Sequence, residues 1–425
     1  MQPSPDKTQR ERKKQDYLGM PRSPLLNHYH TEVKKSAGKP LLYKCTDFLT
    51  KRLWSWMYYY IDSRFGKKHP YTTYADGQTG IYRLTSSPSN QNDHISIAII
   101  ADWATYTEAS VRLAHKIKGQ SPDYTIHLGD TYYVGAPFEM ADNFLNPDAP
   151  WIRGNTGSFA LLGNHEMYAR GIAFFDRLLP TLGIRDRSGK YSGQQAPFFC
   201  LENDHWRILG LDTGYHSIGR VPVLELIRYF APDCHFDEIM IRWLKERVKL
   251  DDPADKRGLL ILTHHQYYTA FKGEDEYPVP AEQLAALIGL DRPVLWIWGH
   301  EHKLAVYEKM QIGKGVTAYG RCIGHGGMPV EIGSIRASSS ATGYPGLVAV
   351  DTRRQPGEDN PPLGYNGYVM LKIKEDMLHI AYHDPNQILF TEIWKAHPDG
   401  KISGQVATGP DCPLQPSRPW EEAVK

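Results

Sequence analysis

The sequence has no long apolar segment, no apolar leader and no paired cysteines. No run of about 18 apolar residues occurs, so we expect no membrane-spanning helix. The chain begins MQPSPDKTQRERKKQ, which contains no apolar stretch and predicts that no secretory signal is present. The five cysteines are scattered, odd in number and never spaced C-x-x-C, a pattern typical of reduced thiols. Together these absences predict a cytoplasmic protein.

The chain also lacks an excess of charge of either sign. Its 425 residues carry a formal net charge of +1, and 41% are hydrophobic and 23% charged, as in ordinary globular proteins. Such a molecule has no bulk field that would attract nucleic acid. No dense run of Lys and Arg occurs between residues 95 and 395. Nucleic acid is therefore not an expected partner, and nothing in the sequence indicates an oligomer.

The N-terminal region differs from the rest of the chain. Residues 1–40 hold nine Lys or Arg against four Asp or Glu without periodicity, which predicts a basic, disordered arm. We predict a helical N-terminal extension over 41–90, because apolar residues recur at helical spacing through 41–65. This amphipathic helix has two interpretations. It packs on the following domain, or it lies on an anionic membrane through its Trp and Tyr residues, making the protein membrane-peripheral.

Residues 91–396 have the pattern of one α/β domain. Nearly continuous Val, Ile and Leu runs alternate with helical segments, which indicates strands buried on both faces and covered by helices. The segment 367–394 instead predicts strands joined by short turns, so the sheet is expected to be mixed. Residues 397–425 are rich in Pro and Gly and predict a tail.

Polar side chains follow five of the buried strands. These are Asp102, Asp130 in GDTYY, Asn164 and His165 in GNHE, His264 and His265 in THHQ, and His300 and His302 in GHEH. The carboxyl ends of strands in an open α/β sheet share the edge where ligands bind, so we expect these side chains to converge. Imidazoles suit zinc, iron and manganese, and a carboxylate can bridge two ions.

The order of these motifs resembles the calcineurin-like metallophosphoesterase superfamily. The resemblance covers residues 95–395, and its GNHE and GHxH motifs are specific. It implies a four-layer α/β/β/α sandwich with two mixed sheets. It also implies a binuclear phosphoesterase that uses two metal ions, Fe, Zn, Mn or Mg, and hydrolyses phosphate monoesters or diesters by a metal-bridging hydroxide. The expected substrate is a small-molecule phosphoester.

The first two motifs depart from the general family pattern. That family opens with D-x-H, whereas this chain has Asp102-Trp103-Ala104 and so lacks the histidine. The GDTYY segment is similar to the purple acid phosphatase variety, in which the tyrosine of GDxxY is a metal ligand, here Tyr133. Those enzymes have D-x-G in the first motif, so Ala104 is a further departure.

The resemblance also implies a role for each ligand. The first metal would be held by Asp102, Asp130, Tyr133 and His302, and the second by Asp130, Asn164, His264 and His300. Asp130 would bridge the two ions and join His165 as a catalytic residue. The family assigns the histidine of GNH, His165, to a general acid or to stabilisation of the transition state.

Four further residues and two rival functions stay open at this point. His265, His325, His216 and Arg170 would contact the substrate or orient a ligand, or else occupy ordinary structural positions. The rivals are a nuclease of the same superfamily and a non-catalytic scaffold that retains the fold.

Overall fold

The structure is a computed structural model of the chain. It describes residues 58, 66–87, 93–105, 107–218, 234–271, 274–331, 346–355, 363–407 and 415–416. The predicted basic arm, and the predicted amphipathic helix apart from Tyr58, lie outside these residues. Within them, no helix combines the length and the apolar character that crossing a membrane would require.

Five α-helices lie in the described part of the chain. They are α1 Glu108–Gln120, α2 Pro137–Met140, α3 Asn164–Tyr168, α4 Glu238–Trp243 and α5 Val279–Ile288. Shorter π and 3₁₀ turns occupy Ala141–Leu145, Phe174–Leu178, Leu179–Thr181 and Leu244–Val248. The longest helix, α1, is capped by Thr107, whose side chain accepts a hydrogen bond from the backbone N–H of Ser110. Its buried face consists of Ser110, Leu113, Ala114 and Ile117, which recur at helical spacing.

The same residues contain nineteen strands. In chain order they are β1 Ile81–Arg83, β2 Ile95–Ile100, β3 Tyr124–His127, β4 Gly157–Ala160, β5 Gly183–Ile184, β6 Phe199–Glu202, β7 Trp206–Gly210, β8 Gly258–Thr263, β9 Val294–Trp298, β10 Leu304–Gln311, β11 Thr317–Ile323, β12 Val330–Glu331, β13 Leu347–Val350, β14 Leu363–Gly364, β15 Tyr368–Lys374, β16 Met377–His383, β17 Ile388–Ala396, β18 Ile402–Ala407 and β19 Gln415–Pro416.

The strands form two large mixed sheets and a small β12–β14 pair. The eight-stranded sheet has the order β18-β17-β16-β15-β2-β3-β4-β5, and the nine-stranded sheet the order β1-β6-β7-β8-β9-β11-β10-β13-β19. Parallel pairing runs through β2, β3 and β4 in the first sheet, and through β7, β8, β9 and β11 in the second. Antiparallel pairs flank these parallel centres, as the mixed-sheet prediction requires.

Three strands lie outside the stretch of sequence predicted to form the sheets. β1 belongs to the segment predicted as a helical extension, yet it pairs in parallel with β6 at the edge of the nine-stranded sheet. β18 and β19 belong to the predicted tail and pair antiparallel with β17 and β13. All three are edge strands, and none is a continuous apolar run. Their sequences therefore carry little of the hydrophobic pattern that marks the central strands.

The sheets pack face to face with helices outside, which confirms the four-layer prediction. Ile97 and Ile99 of β2 share one buried cluster with Leu260 and Leu262 of β8. Because side chains alternate along a strand, the other face of β2 packs against α1. The outer face of β8 and β9 packs against α4 and α5 in a third cluster. The strand ends of both sheets can thus contribute to one site.

Candidate metal centre

Two carboxylates and an imidazole from both sheets meet at one end of the sandwich. Asp102 follows β2, Asp130 follows β3 and His264 follows β8, and all three are almost fully buried. Their ligand atoms lie within 4.8 Å of one another. His264 also belongs to a second such group with His265 and His300. Residues that are far apart in sequence therefore come together at the carboxyl ends of the strands, as the sequence predicts.

Asp130 occupies the middle of this arrangement. Its Oδ1 accepts a hydrogen bond of 2.9 Å from the backbone N–H of His165. Its Oδ2 lies 3.3 Å from Nε2 of His264 and 3.1 Å from the hydroxyl oxygen of Tyr132. One oxygen of Asp130 is thus fixed by the backbone, and the other faces two sets of donor atoms.

The first set of donor atoms surrounds Asp102. Its Oδ2 accepts a hydrogen bond of 2.9 Å from the backbone N–H of His300, whereas its Oδ1 lies 3.6 Å from Nε2 of His302. The other ring nitrogen of His302, Nδ1, is buried and has no hydrogen-bond partner in the described part of the chain. His302 therefore presents Nε2 to the Asp102 carboxylate.

The second set lies around His264. Oδ1 of Asn164, the first residue of α3, is 3.3 Å from Nε2 of His264. The other ring nitrogen, Nδ1, lies 3.0 Å from the carbonyl oxygen of Leu128. That carbonyl only accepts, so Nδ1 carries a hydrogen and Nε2 is the atom available to a ligand. The rings of His264 and His300 lie 5.2 Å apart.

Three of these residues have left-handed backbone conformations. The φ angles are 54° at Asp102, 69° at Asp130 and 64° at His300. A non-glycine residue in this region costs on the order of 1–3 kcal/mol, and surrounding contacts must hold it there. The backbone N–H of Asp102 donates to the carbonyl of Gly129 at 3.1 Å, which ties the ends of β2 and β3 together.

Glu166 holds the Asp130 loop and is a residue that the sequence argument did not single out. Its buried carboxylate accepts hydrogen bonds from the backbone N–H groups of Asp130 at 3.0 Å, Thr131 at 2.7 Å and Gly163 at 2.8 Å. Burial, and then the charge of Asp130, raise the pKa of Glu166 to about 7. In the sequence, the only indication of this role is that Glu166 is the fourth residue of the GNHE motif.

The two tyrosines of GDTYY have different surroundings. The hydroxyl oxygen of Tyr132 lies 3.0 Å from Oδ1 of Asp102 and 2.8 Å from Nε2 of His302. Tyr133 contributes its main chain, since its N–H donates to Glu139 and its carbonyl accepts from Nδ1 of His165 at 2.6 Å. Ligation by Tyr133, which the resemblance implies, stays a prediction. The phenol oxygen among the ligand side chains is that of Tyr132.

His165 points its second nitrogen toward the centre. Because Nδ1 donates to the carbonyl of Tyr133, Nε2 is left facing Oδ2 of Asp130 at 3.8 Å. Burial lowers the pKa of His165, and the charge of Asp130 offsets part of that effect. The ring also packs against Tyr132, with the ring centres 4.2 Å apart.

Each ionisable group at the centre shifts the pKa of its neighbours. Burial opposes ionisation of Asp130, but the imidazoles of His264 and His165 hold its pKa well below the usual value. Burial likewise opposes a charge on His264, yet Asp130 raises its pKa to about 9. Burial and the neighbouring His264 lower the pKa of His300 to about 4. The pair His264–Asp130 therefore carries a proton that a metal cation would displace.

His265 lies beside the centre. Its backbone N–H donates to Oγ1 of Thr213 at 3.0 Å, and its Nδ1 lies 3.1 Å from the same oxygen. The ring centre is 4.6 Å from that of His300 and 5.1 Å from that of Tyr277. His265 thus belongs to the wall of the centre, and its role toward substrate stays a prediction.

The other three open residues have the following surroundings, and their roles toward substrate or a ligand stay predictions. Nε2 of His216 lies 2.9 Å from Asp237, and its ring stacks on His235. Arg170 extends toward the carbonyl of Lys67 at 3.5 Å. The ring of His325 is buried, and burial lowers its pKa to about 4.

The loop around His325 supports the centre through its backbone. The N–H groups of Gly326 and Gly327 donate to the carbonyls of Ala101 and Asp102 at 3.1 and 2.9 Å. This loop therefore fixes the end of β2. It is the glycine backbone, not the imidazole, that makes these contacts.

The donor set fits divalent or trivalent cations of the first transition row. Ligand atoms about 3.0–3.3 Å apart are expected around one ion with bonds of about 2.0–2.1 Å, in octahedral or tetrahedral geometry. The separations of 3.3 Å for His264–Asp130, 3.3 Å for His264–Asn164 and 3.6 Å for His302–Asp102 come close to that range. Imidazole and carboxylate together suit Zn, Fe or Mn better than Ca.

Residues 95–304 match the family model described as calcineurin-like phosphoesterase. No curated protein sequence matches the chain. Among solved structures, the purple acid phosphatase PPD1 of yellow lupin (Lupinus luteus) seeds is 15% identical, with a TM-score of 0.45, over 72% of this chain and 54% of the lupin chain. This chain therefore spans about half the length of the lupin enzyme.

Two other solved structures show a similar degree of likeness. GAP50, described as the anchor in the inner membrane complex of Plasmodium, is 13% identical with a TM-score of 0.43, over 70% of this chain and 87% of its own. PhoD is 11% identical with a TM-score of 0.42, over 76% of this chain and 73% of its own.

Proposed function

The chain belongs, through residues 95–304, to the calcineurin-like phosphoesterase family, and from this we propose that it hydrolyses phosphate monoesters or diesters at a centre of two metal ions. One observation carries the proposal. Oδ2 of Asp130 lies between two sets of donor atoms, 3.1 Å from the hydroxyl of Tyr132 and 3.3 Å from Nε2 of His264. A carboxylate oxygen in that position can be shared by two cations.

The two sets of donors divide between the ions. Asp102 and His302 would hold one cation, and Asn164, His264 and His300 the other, with Asp130 common to both. Bound ions supply positive charge against the phosphoryl oxygens and lower the pKa of water near them, which is what hydrolysis of an anionic ester requires. Every ligand here comes from the end of a strand or the start of a helix, so the donors are held in place before substrate arrives.

His165 would serve the leaving group. Its Nδ1–H is committed to the carbonyl of Tyr133, so the ring orientation is fixed and Nε2 alone can exchange a proton. When protonated, Nε2 can donate to the oxygen that departs from phosphorus; when neutral, it can only accept. Burial keeps the pKa of His165 below its ordinary value although Asp130 lies at 3.8 Å, so protonation would depend on the added negative charge of an incoming phosphate.

The buried carboxylates have a supporting role. Glu166 keeps the Asp130 and Gly163 loops together, and Glu139 accepts hydrogen bonds from the backbone N–H groups of Val134 at 3.1 Å and Ala136 at 2.9 Å. The loop that carries Asp130 and Tyr132 is thus anchored on both sides. A rigid loop keeps the shared oxygen of Asp130 between its two groups of donors.

A phosphoester panel with metal analysis tests the proposal. Purified protein, loaded with Zn²⁺, Mn²⁺ or Fe³⁺ with Zn²⁺, is assayed on p-nitrophenyl phosphate and on its bis ester. We expect turnover of at least one ester, and we expect Asp130→Ala to lose both turnover and part of the bound metal. Equal turnover by wild type and Asp130→Ala would refute the proposal. Asp142→Ala, at an exposed carboxylate after α2, is the matched control that should retain activity.

A further inference from the structure

The hydroxyl of Tyr132 lies among side chains of the candidate metal centre. Its neighbour Tyr133 contacts Glu139 and His165 through its main-chain N–H and carbonyl groups. The Tyr132 hydroxyl lies 3.0 Å from Oδ1 of Asp102, 3.1 Å from Oδ2 of Asp130 and 2.8 Å from Nε2 of His302. The side chain is 1% exposed, so water does not compete for these contacts. Two carboxylates and one imidazole converge on one phenol oxygen.

The separations suit ligand atoms that share one cation. Four atoms around an ion at bonds of about 2.0–2.1 Å lie about 3.0–3.3 Å from one another. The contacts of the Tyr132 oxygen, at 2.8–3.1 Å, and the 3.6 Å between Oδ1 of Asp102 and Nε2 of His302 bracket that spacing. The group therefore has the size of a coordination shell in which the phenol oxygen is one member.

Spacing in the sequence points to the other tyrosine. In GDxxY the tyrosine stands three residues after the aspartate, which is Tyr133. The two rings lie 6.2 Å apart between centres and 73° apart in plane, so the two phenols differ in direction. The loop from Asp130 to Gly135 closes through a hydrogen bond of 2.9 Å from Gly135 N–H to the carbonyl of Thr131. This turn brings the earlier tyrosine onto the carboxylates.

We propose that Tyr132, rather than Tyr133, supplies the phenol oxygen to the cation held by Asp102, Asp130 and His302. The inference rests on the proposed function only in that a cation binds this group. It gives Tyr132 a second task, because its ring also packs on His165 and would fix the imidazole beside the same cation.

Paired phenylalanine variants with ferric iron test this inference. A phenol oxygen bound to ferric iron gives a charge-transfer band in the visible range. Metal-free wild type, Tyr132→Phe and Tyr133→Phe are loaded with Fe³⁺ and Zn²⁺, and their visible spectra and metal contents are recorded. We expect the band in wild type and in Tyr133→Phe, and its loss in Tyr132→Phe. Phenylalanine keeps the ring against His165, so only the oxygen is removed.

A second measurement does not depend on iron. Equilibrium dialysis measures the Zn²⁺ affinity of the same three proteins. We expect the affinity of one of the two sites to fall about 10- to 100-fold or more in Tyr132→Phe only. Thermal unfolding of the metal-free proteins checks that each variant folds.

Each outcome separates this inference from the proposed function. A band that survives Tyr132→Phe, or one that disappears in Tyr133→Phe, overturns the assignment. Wild type that binds both ions without a visible band, and that shows the same Zn²⁺ affinities as Tyr132→Phe, also overturns it while leaving the two-ion centre intact. Wild type that binds neither ion contradicts the proposed function and this inference together.

Discussion

At the scale of single residues, the chemistry of the centre depends on which atom of each side chain is not hydrogen-bonded to the backbone. Oδ1 of Asp130 and Nδ1 of His264 and His165 are engaged with the backbone. Oδ2 of Asp130 and the two Nε2 atoms are therefore the atoms that face the centre. The backbone, more than any side-chain pairing, determines the chemistry that these residues can perform.

Replacement of His165 should slow turnover without removing metal. His165→Ala removes the only nitrogen that we assign to the leaving group, and loss of a general acid typically costs about 10²- to 10⁴-fold in kcat. Metal content should stay at the wild-type level, because His165 is not among the proposed ligands. Steady-state kinetics and metal analysis check this. His115→Ala, at an exposed position of α1, should leave both values unchanged, and a wild-type kcat in His165→Ala would remove its catalytic role.

Replacement of Glu166 should weaken metal binding from outside the ligand set. Glu166→Gln keeps the size of the side chain but has one acceptor oxygen in place of two, so at least one of three backbone N–H groups loses its partner. We expect metal affinity to fall about 10- to 100-fold. Stability should fall by about 1–3 kcal/mol.

Dialysis against Zn²⁺ and urea unfolding measure the two effects of Glu166→Gln. Glu282→Gln, at an exposed position of α5, is the matched control and should change neither. Unchanged metal affinity in Glu166→Gln would show that the Asp130 loop holds its position without the carboxylate.

At the scale of elements, the ends of β3 and β4 approach so closely that only glycine fits at Gly163. A Cβ atom there would lie 2.0 Å from Oδ1 of Asp130 and 2.7 Å from its backbone nitrogen. This close approach places Asn164 and His165, at the start of α3, directly against the loop that carries Asp130. The motif GNHE therefore includes its glycine for a steric reason.

The variant Gly163→Ala should disrupt the centre. The added methyl group would push Asp130 out of place, and we expect metal binding and turnover to be lost and stability to fall by about 1–3 kcal/mol. Gly119→Ala is the control, because a Cβ there meets nothing within 4 Å and the residue lies inside α1. That variant should gain up to about 1 kcal/mol. Calorimetry and metal analysis compare the two, and wild-type metal content in Gly163→Ala would contradict the expected clash.

The central elements could be predicted from the sequence, and the edge elements could not. β2, β3, β4, β8 and β9 are buried on both faces, so their apolar runs and the polar residues that end them are visible in the sequence. β1 forms through pairing with β6, which is distant in the chain, and β18 forms through pairing with β17, the strand directly before it. Their own sequences do not carry that information.

The sequence likewise predicts some residues of the candidate centre and not others. The ends of strands predicted that Asp102, Asp130 and His264 would meet, because parallel strands bring their carboxyl ends to one edge. Spacing in GDxxY pointed to Tyr133, whereas the hydroxyl that lies beside Asp102 and Asp130 is that of Tyr132, because the conformation of the loop determines which phenol reaches the carboxylates. Glu166 could not be recognised either, because its partners are backbone N–H groups, which leave no trace in the sequence.

At the scale of the whole molecule, a buried ion pair joins the two sheets. Arg321 of β11 and Glu392 of β17 contact each other at 2.9 Å, with their side chains 1% and 0% exposed. Tyr382 and Trp394 donate to the same carboxylate at 3.2 and 3.0 Å. The sheets that bring the ligands together are therefore tied by a polar contact inside an apolar interface.

Loss of one partner in this pair should destabilise the fold. Glu392→Gln leaves the Arg321 charge buried without a counter-ion, which costs about 3–5 kcal/mol. Lys395→Gln is the control, because its ion pair with Asp376 is half exposed and contributes less than about 1 kcal/mol. Urea unfolding measures both. Equal stability of the two variants would show that the pair does not hold the sheets together.

The central claim is that two metal ions act together at Asp130, and a metal titration of activity tests it most directly. Metal-free protein receives Zn²⁺ or Mn²⁺ in steps while hydrolysis of p-nitrophenyl phosphate and its bis ester is followed. The account predicts that the rate rises until two equivalents per chain are bound and then stays constant. A plateau at one equivalent, or full turnover without added metal, would contradict it.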